Sequence, residues 1–235
     1  MKISKENLSI VTMPYWHHTL NYGMESIRSC GFRNIEFWAA SPHYCYTEYT
    51  PEERKSRKQY IVSLMNICGL KIPVFYPEQI ERYAFINIAS SDEDIQRRSM
   101  EVMEEYMEDA VEFGAGAMVL SAGWQPIDAP EQENYYRSVM AVKKLSEMAE
   151  KLGLMLLIEP GNRITGTFIW NLATLRHFLE DVDMANVKAC LNTAVSMTEE
   201  VSLKEWMSQL EGRVGHIHFA DAGGKALGDG HSDIE

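Results

Sequence analysis

The stretch KLGLMLLIEPGNR (151–163) contains the pattern from which the fold can be predicted. Gly153 follows a helical pattern, a continuous apolar run comes next, and a polar segment begins at Glu159. Glycine just past the last helical residue is a common helix stop. Short continuous apolar runs are typical of strands that are buried on both faces of a parallel sheet. The stretch therefore predicts the end of a helix, a buried strand and a polar loop, in that order.

The same unit repeats along the chain. Apolar runs predict seven strands, at 8–13, 34–39, 71–76, 115–123, 154–160, 187–193 and 213–220. Between them, helical patterns predict helices at 21–30, 51–68, 92–113, 131–151, 171–181 and 199–211. No linker rich in Pro, Gly or Ser interrupts this alternation, so we expect a single α/β domain over residues 1–235.

Two α/β architectures fit this alternation, an open doubly wound sheet and a (β/α)₈ TIM barrel. A dinucleotide-binding sheet has GxGxxG after its first strand, whereas MPYWHHT (13–19) follows here. Polar residues gather at the C-terminal ends of the predicted strands, where barrel enzymes build their sites, and this favours the barrel. Only DAGGKALGDGHSDIE (221–235) follows strand seven. We therefore expect strands one to seven of eight, without the last helix, strand and helix.

Charge and composition exclude several classes of protein. The 235 residues contain 22 Lys and Arg against 34 Asp and Glu, a formal net charge of −12. Such a charge repels phosphate backbones, so no nucleic-acid partner is expected. No apolar run is long enough for a membrane span, and no signal peptide is recognisable. The four cysteines lack zinc-type spacing, which predicts reduced thiols in a cytoplasmic protein. No feature marks a dimer interface, and a homo-oligomer stays open.

Three polar residues end strands five, six and seven: Glu159, Asn192 and His218. Each residue type alone is more common in loops or in hydrogen-bonded cores than in metal sites. In a parallel barrel, however, these strand ends converge on one mouth. A carboxylate, an amide oxygen and an imidazole together suit one divalent metal ion, Mn²⁺, Co²⁺, Mg²⁺ or Zn²⁺. His216 points to the same side of its strand as His218, so either both face the interior or only one reaches the metal.

Five segments resemble one known family. They are GFRNIEFWAASPH (31–43), LIEPGNR (157–163), CLNT (190–193), GHIHFADAGG (215–224) and LGDG (227–230). In these motifs the chain resembles the xylose isomerase-like TIM-barrel superfamily of sugar phosphate isomerases and epimerases. Within it, the chain looks most like fructoselysine 3-epimerase-type proteins and ketose 3-epimerases.

The resemblance implies a metal-dependent sugar isomerase or epimerase. Such enzymes move a proton at the carbon next to the carbonyl of a ketose or ketosamine, through an ene-diolate. By motif, Glu159 corresponds to a metal ligand that also acts as catalytic base, and His218 corresponds to the metal-binding histidine. The implied partner is a small sugar. Residues at the strand ends are candidates for holding it: Trp38, His43, Tyr76, Ser121, Arg163 and His216.

The chain departs from the family pattern at several positions. Asn192 stands where the family has Asp, and Val195 and Thr165 stand where ketose 3-epimerases have substrate-contacting His and Glu. The Glu that ends strand eight in the family has no counterpart in these residues. Two alternatives therefore stay open. One uses the same barrel and metal as a dehydratase or lyase, of the inosose or C-glycoside-cleaving type. The other is a catalytically impaired sugar-binding barrel.

Overall fold

The computed structural model describes residues 4–78, 86–126, 128, 131–161, 168–199 and 201–230. Seven strands in these residues form one parallel sheet whose spatial order is the chain order. They are β1 Ser9–Val11, β2 Asn34–Ala39, β3 Lys71–Pro77, β4 Ala117–Leu120, β5 Met155–Ile158, β6 Val187–Asn192 and β7 Val214–His218.

Helices separate the strands along the chain. In the described residues they are α1 Leu20–Ser29, α2 Pro51–Cys68, α3 Glu93–Glu112, α4 Glu131–Lys151, α5 Leu172–Val182, α6 Thr193–Ser196 and α7 Leu203–Gln209. Short 3₁₀ turns lie at 5–7, 13–15, 46–48 and 222–224. Among the described residues, no helix combines the length and the apolar content that a bilayer span requires.

Local sequence signals account for where the helices begin and end. At the start of α2, the Thr50 hydroxyl accepts a hydrogen bond from the Glu53 backbone N–H at 3.3 Å. In turn, the Glu53 carboxylate accepts a hydrogen bond from the Thr50 backbone N–H. This reciprocal pair satisfies two backbone donors that the helix itself leaves unpaired. Gly69 ends α2 with φ of 61°, a left-handed conformation that glycine adopts without steric cost.

The two faces of the sheet have different cores. Outward-facing side chains pack beneath the helices in the main apolar core, for example Phe37, Phe75 and Leu156. Inward-facing side chains form a small second cluster of Val74, Val119, Leu157 and Cys190. Helices on one side and a filled interior on the other are the layers of a TIM barrel, which confirms the predicted fold class.

A contact between distant strands shows that the sheet curls. The Glu36 carboxylate on β2 lies 2.7 Å from His216 Nε2 on β7. In a flat sheet, about 4.8 Å separates neighbouring strands, so strands five positions apart would be far out of contact. The sheet therefore closes toward a barrel and brings the inner faces of β2 and β7 together. No backbone ladder joins β1 to β7 among the described residues.

A β-bulge in β7 determines which side chains face the barrel interior. The register between β6 and β7 shifts so that Ala189 pairs with Val214 and Cys190 pairs with His216, leaving Gly215 as the extra residue. Val214 and Ile217 therefore both pack against the main core, although their spacing breaks the alternation of a regular strand. The bulge lets Val214 face the main core, while His216 and His218, two residues apart in the regular part of β7, share its inner face.

Candidate active site at the mouth of the barrel

A cavity of about 710 Å³ extends along the inner face of the sheet, from residues 7–10 at the start of β1 to the C-terminal ends of the strands. Its walls include apolar residues of β1 and β7. Asn7 and Ser9 add polar atoms at the start of β1, and the polar lining from β2 to β7 and the ends of these strands is Glu36, Tyr76, Ser121, Glu159, Asn192, His216 and His218. In TIM-barrel enzymes this end of the sheet is where active sites lie, because the loops after every strand meet there. The cavity therefore brings together side chains that are far apart in sequence.

Glu159 lies at the centre of the polar lining. Its Oε2 accepts a hydrogen bond from the Tyr76 hydroxyl at 2.8 Å. Its Oε1 lies 2.9 Å from Asn192 Nδ2 and 2.7 Å from His218 Nδ1. Burial favours the neutral acid, but the hydrogen bonds from His218, Asn192 and Tyr76 outweigh burial and hold the pKa of Glu159 below its ordinary value. The carboxylate is therefore ionised at neutral pH.

His218 bridges two carboxylates. Its Nδ1 faces Glu159, and its Nε2 lies 2.9 Å from Glu36 Oε1. Burial lowers the pKa of His218, but contacts with Cys190, Glu159 and Glu36 outweigh burial and raise it well above its ordinary value. A cation that binds at Nδ1 would therefore replace a proton there.

Glu36 is the second buried carboxylate. Burial raises its pKa, but the hydrogen bonds from His216 and His218 outweigh burial and lower the pKa to about 2. Glu36 is not among the site residues predicted from the sequence, although it belongs to the predicted second strand, NIEFWA (34–39). The one available signal was a carboxylate inside a strand predicted to be buried, since such a group requires partners.

Asn192 faces Glu159 with its amide nitrogen. Its Oδ1 accepts a hydrogen bond from the Ala194 backbone N–H at 3.0 Å and so caps α6. Binding of a metal through Oδ1, as predicted from the sequence, requires this amide to rotate and give up the cap. A metal role for Asn192 therefore stays a prediction.

Tyr76 and Cys190 complete the wall behind the two carboxylates. The Tyr76 ring stacks on the His218 ring with centroids 5.7 Å apart. Burial, reinforced by the nearby Glu159 carboxylate, raises the pKa of Tyr76 well above 10, so its hydroxyl keeps its proton. Burial also raises the pKa of Cys190 to about 12. Cys190 is therefore a neutral thiol, and without further activation it is a poor metal ligand.

The donor atoms fit a divalent cation. Ligand atoms of Glu159, Cys190 and His218 lie within 4.8 Å of one another, as do those of Glu36, His216 and His218. Carboxylate oxygen and imidazole nitrogen suit Mn²⁺, Co²⁺ and Zn²⁺, and oxygen donors suit Mg²⁺. Both groups of residues border the cavity, and Glu159 is in addition hydrogen-bonded to Asn192.

The other predicted site residues fall in three groups. Tyr76, Ser121 and His216 line the cavity. Trp38 and His43 are buried and are not part of that lining. The Trp38 ring lies 6.2 Å from that of Trp16, and His43 borders a smaller cavity of about 390 Å³. Arg163 and Thr165 lie outside the described residues.

The comparisons agree with the resemblance seen in the motifs. The family model described as xylose isomerase-like TIM barrel matches residues 24–235. The fructoselysine 3-epimerase of Escherichia coli O157:H7 is 22% identical over 205 residues, covering 87% of this chain and 72% of that protein. The L-ribulose 3-epimerase of Mesorhizobium japonicum is 27% identical over 151 residues, covering 63% of this chain and 51% of that protein.

A solved structure gives the same fold. The structure of an L-ribulose 3-epimerase superposes with a TM-score of 0.79 at 22% identity, covering 97% of this chain and 74% of that one. At this identity the likeness shows the fold alone. The family model, in contrast, matches most of the chain, including every strand end that supplies Glu36, Glu159, Asn192 and His218. The chain belongs to the xylose isomerase-like TIM barrel family.

Proposed function

We propose that this chain is a divalent-metal-dependent sugar epimerase or isomerase that acts next to the carbonyl of a ketose or ketosamine. The observation that carries the proposal is the position of Glu159. It is an ionised carboxylate at the centre of a sugar-sized cavity, hydrogen-bonded by Tyr76, Asn192 and His218. A carboxylate within reach of an acidic carbon is a suitable general base.

Glu159, His218 and, after rotation of its amide, Asn192 would hold the metal. When bound, a divalent cation polarises the carbonyl and stabilises the negative charge that develops on its oxygen. Glu36 stays ionised behind His218, so the buried positive charge of a cation would be balanced by two carboxylates. This charge balance favours a divalent cation over a neutral ligand at the same place.

The two oxygens of Glu159 have different surroundings. Oε1 faces His218 and Asn192, the side of the candidate ligands. Oε2 faces Tyr76, whose protonated hydroxyl orients it from 2.8 Å. Oε2 is therefore the oxygen that would take the proton from the substrate carbon. The Tyr76 hydrogen bond would orient that oxygen and would weaken when the carboxylate is protonated.

The substrate class is supported by the surroundings of this centre and by the relatives. Ser121 offers a hydroxyl at the cavity wall, and apolar residues of β1 and β7 cover the opposite side. Cavities with a few convergent polar groups and apolar walls suit small ligands. The names of the similar proteins, fructoselysine 3-epimerase and L-ribulose 3-epimerase, support a ketosamine or ketose rather than an aldose.

Exchange of the substrate C3 proton with D₂O tests the proposal most directly. The chain is incubated with Mn²⁺, Co²⁺, Mg²⁺ or Zn²⁺ and with fructoselysine, L-ribulose, D-psicose or D-fructose. Proton NMR and mass spectrometry then follow deuterium at C3. Exchange needs only one base, so it measures proton abstraction by Glu159 separately from the complete epimerisation. We expect exchange with at least one substrate and metal, lost in Glu159→Gln.

A matched control and two contrary outcomes complete the experiment. Glu147→Gln removes the same charge from the exposed face of α4, and it should exchange like the wild type. Loss of one water from the product would replace the epimerase proposal with a dehydratase. Saturable sugar binding without exchange, under every metal, would replace it with a sugar-binding barrel.

A further inference from the structure

The carboxylate of Glu36 has an unusual position for an ionised group. Its side chain points inward from the middle of β2, and only 3% of the residue is exposed. Placing an ionised carboxylate in a protein interior costs several kcal/mol unless partners compensate for the lost water. The partners that compensate are two imidazoles from a strand at the other end of the sheet.

Both histidines of β7 direct the same ring nitrogen at Glu36. His216 Nε2 lies 2.7 Å from Oε2, and His218 Nε2 lies 2.9 Å from Oε1 and 3.2 Å from Oε2. An ionised carboxylate only accepts hydrogen bonds, so each Nε2 must carry a proton to donate. For His218 this leaves Nδ1 as the nitrogen directed at Glu159, at 2.7 Å.

We propose that Glu36 is the positioning residue of the site, which fixes the ring orientation of His218 and the tautomer that presents its Nδ1 beside Glu159. The inference rests on the proposed function, in which Nδ1 is a ligand of the metal. Metal-ligating histidines commonly donate their second N–H to a carboxylate, which holds the ring and makes the ligating nitrogen more basic. Glu36 occupies that place relative to His218.

His216 then has a defined part as well. It donates to the Glu36 oxygen that is nearer to it, and its ring meets the His218 ring edge to face at 5.1 Å. His216 and His218 are two residues apart on β7 and therefore share its inner face, which gives Glu36 its second donor. His216 therefore acts on Glu36, and through Glu36 on His218, rather than on the substrate.

Two other roles for Glu36 compete with this inference. Glu36 could serve only as a structural link between β2 and β7. Alternatively, Glu36, His216 and His218 could themselves hold the cation, since their ligand atoms lie within 4.8 Å of one another. The three roles differ in which nitrogen of His218 carries a proton when a metal is bound, and NMR reads that directly.

The test uses ¹⁵N-labelled chain as wild type, Glu36→Gln and Glu147→Gln. Long-range ¹H–¹⁵N spectra report the ring nitrogens of His218 in the metal-free chain and after loading with diamagnetic Zn²⁺. In the wild type we expect a protected Nε2–H signal in both states, and a metal-bound Nδ1 after loading. In Glu36→Gln we expect this signal to be lost and Zn²⁺ affinity, measured by competition with a chelator, to fall about 10–100-fold. Glu147→Gln should behave as the wild type.

The outcomes separate this inference from the proposed function. A protected Nε2–H in the metal-free wild type that is lost in Glu36→Gln supports positioning, even if no cation binds and the metal-dependent function fails. Zn²⁺ bound at Nε2, with a proton on Nδ1, would overturn positioning and make Glu36 a ligand partner. Unchanged His218 spectra and affinity in Glu36→Gln, with only a lower melting temperature, would reduce Glu36 to a structural link.

Discussion

At the scale of single residues, the side chain at position 192, here Asn192, would set how much negative charge the proposed metal site presents to a cation. Its Oδ1 caps α6 and its Nδ2 donates to Glu159. In Asn192→Asp, one oxygen keeps the cap and the other adds a charge beside Glu159. A charge about 4 Å from a cation contributes on the order of 1–4 kcal/mol in a partly solvated site. We therefore expect Mn²⁺ affinity to rise at least about fivefold, measured by isothermal titration calorimetry.

The same substitution has an opposite effect without metal. Two neighbouring carboxylates repel each other, so metal-free Asn192→Asp should melt at a lower temperature than the wild type, and Mn²⁺ should reverse the difference. Equal Mn²⁺ affinity in the two chains would show that position 192 does not contact the cation.

Tyr76 gives a second prediction at this scale. Tyr76→Phe removes the hydroxyl that donates to Glu159 Oε2 and leaves the ring stacked on His218. Without this donor the Glu159 carboxylate loses the contact that orients it, and misplacement of a reacting group can slow a reaction by up to about hundredfold, so we expect C3 proton exchange to slow by roughly tenfold to hundredfold. Tyr60→Phe, on the exposed side of α2, is the matched control. Slower exchange in both variants, or in neither, would remove Tyr76 from the machinery.

The sequence was informative about strand-end residues and uninformative about their partners. Convergence of the strand ends predicted that Glu159, Asn192 and His218 would meet, and they do, although their roles stay predictions. The contact between Glu36 and β7 joins residues 180 positions apart, and no local pattern encodes such a pairing. His43 lies outside the cavity lining because it sits in the loop after β2, and loop geometry does not follow a simple period; Trp38, within β2, lies beside Trp16 instead.

At the scale of elements, each predicted strand and each predicted helix is present in the described residues. Some predicted strands extend beyond the strands of the structure. β4 covers Ala117–Leu120 within the predicted 115–123, because SAG (121–123) leaves the sheet at the site. The short helix α6 was not predicted, because it depends on the Asn192 cap immediately after β6 rather than on an apolar period. Hydrophobic patterns thus predict the existence of a strand or helix more reliably than the residues at which it begins and ends.

The bulge in β7 gives a prediction at this scale. A Cβ added at Gly215 would lie 2.7 Å from Leu157 Cδ2 and 2.8 Å from Lys188 Cβ, and the latter is fixed close to the backbone. Overpacking of this kind costs about 1–3 kcal/mol, so Gly215→Ala should lower the free energy of unfolding in urea by that amount. Gly116→Ala, where a Cβ meets nothing within 4 Å, should be close to neutral.

The bulge prediction also has a consequence for the site. If the chain relaxes by shifting β7 at the bulge, both histidines move relative to Glu36, and the 2.7 Å contact between His216 Nε2 and Glu36 is weakened. Gly215→Ala should then weaken Zn²⁺ binding in the same direction as Glu36→Gln. An unchanged free energy of unfolding would show that the bulge accommodates a side chain.

At the scale of the whole molecule, the four cysteines differ in their exposure to solvent. Cys30 is exposed at the end of α1, whereas Cys45, Cys68 and Cys190 are buried, and all four are free thiols. A maleimide should therefore modify one cysteine quickly in the folded chain and the remaining three only on unfolding, as counted by intact mass spectrometry. Cys30→Ser should abolish the fast adduct. Fast labelling of Cys190 would mean that the interior opens readily to reagents.

A metal at the mouth would also stabilise the whole barrel, because its candidate ligands end three successive strands, β5, β6 and β7. A ligand that binds only the folded chain, at about 100 times its Kd, contributes about 2.7 kcal/mol. For a chain of this size that corresponds to a rise in melting temperature of roughly 5–11 °C. We expect this rise with Mn²⁺, its reversal by EDTA, and its loss in Glu159→Gln and His218→Ala. Glu147→Gln should keep it, since that charge lies on the exposed face of α4. If the melting temperature still rises with Mn²⁺ in Glu159→Gln and His218→Ala, the stabilising cation binds elsewhere on this acidic protein. That result would contradict a metal site at the mouth of the barrel.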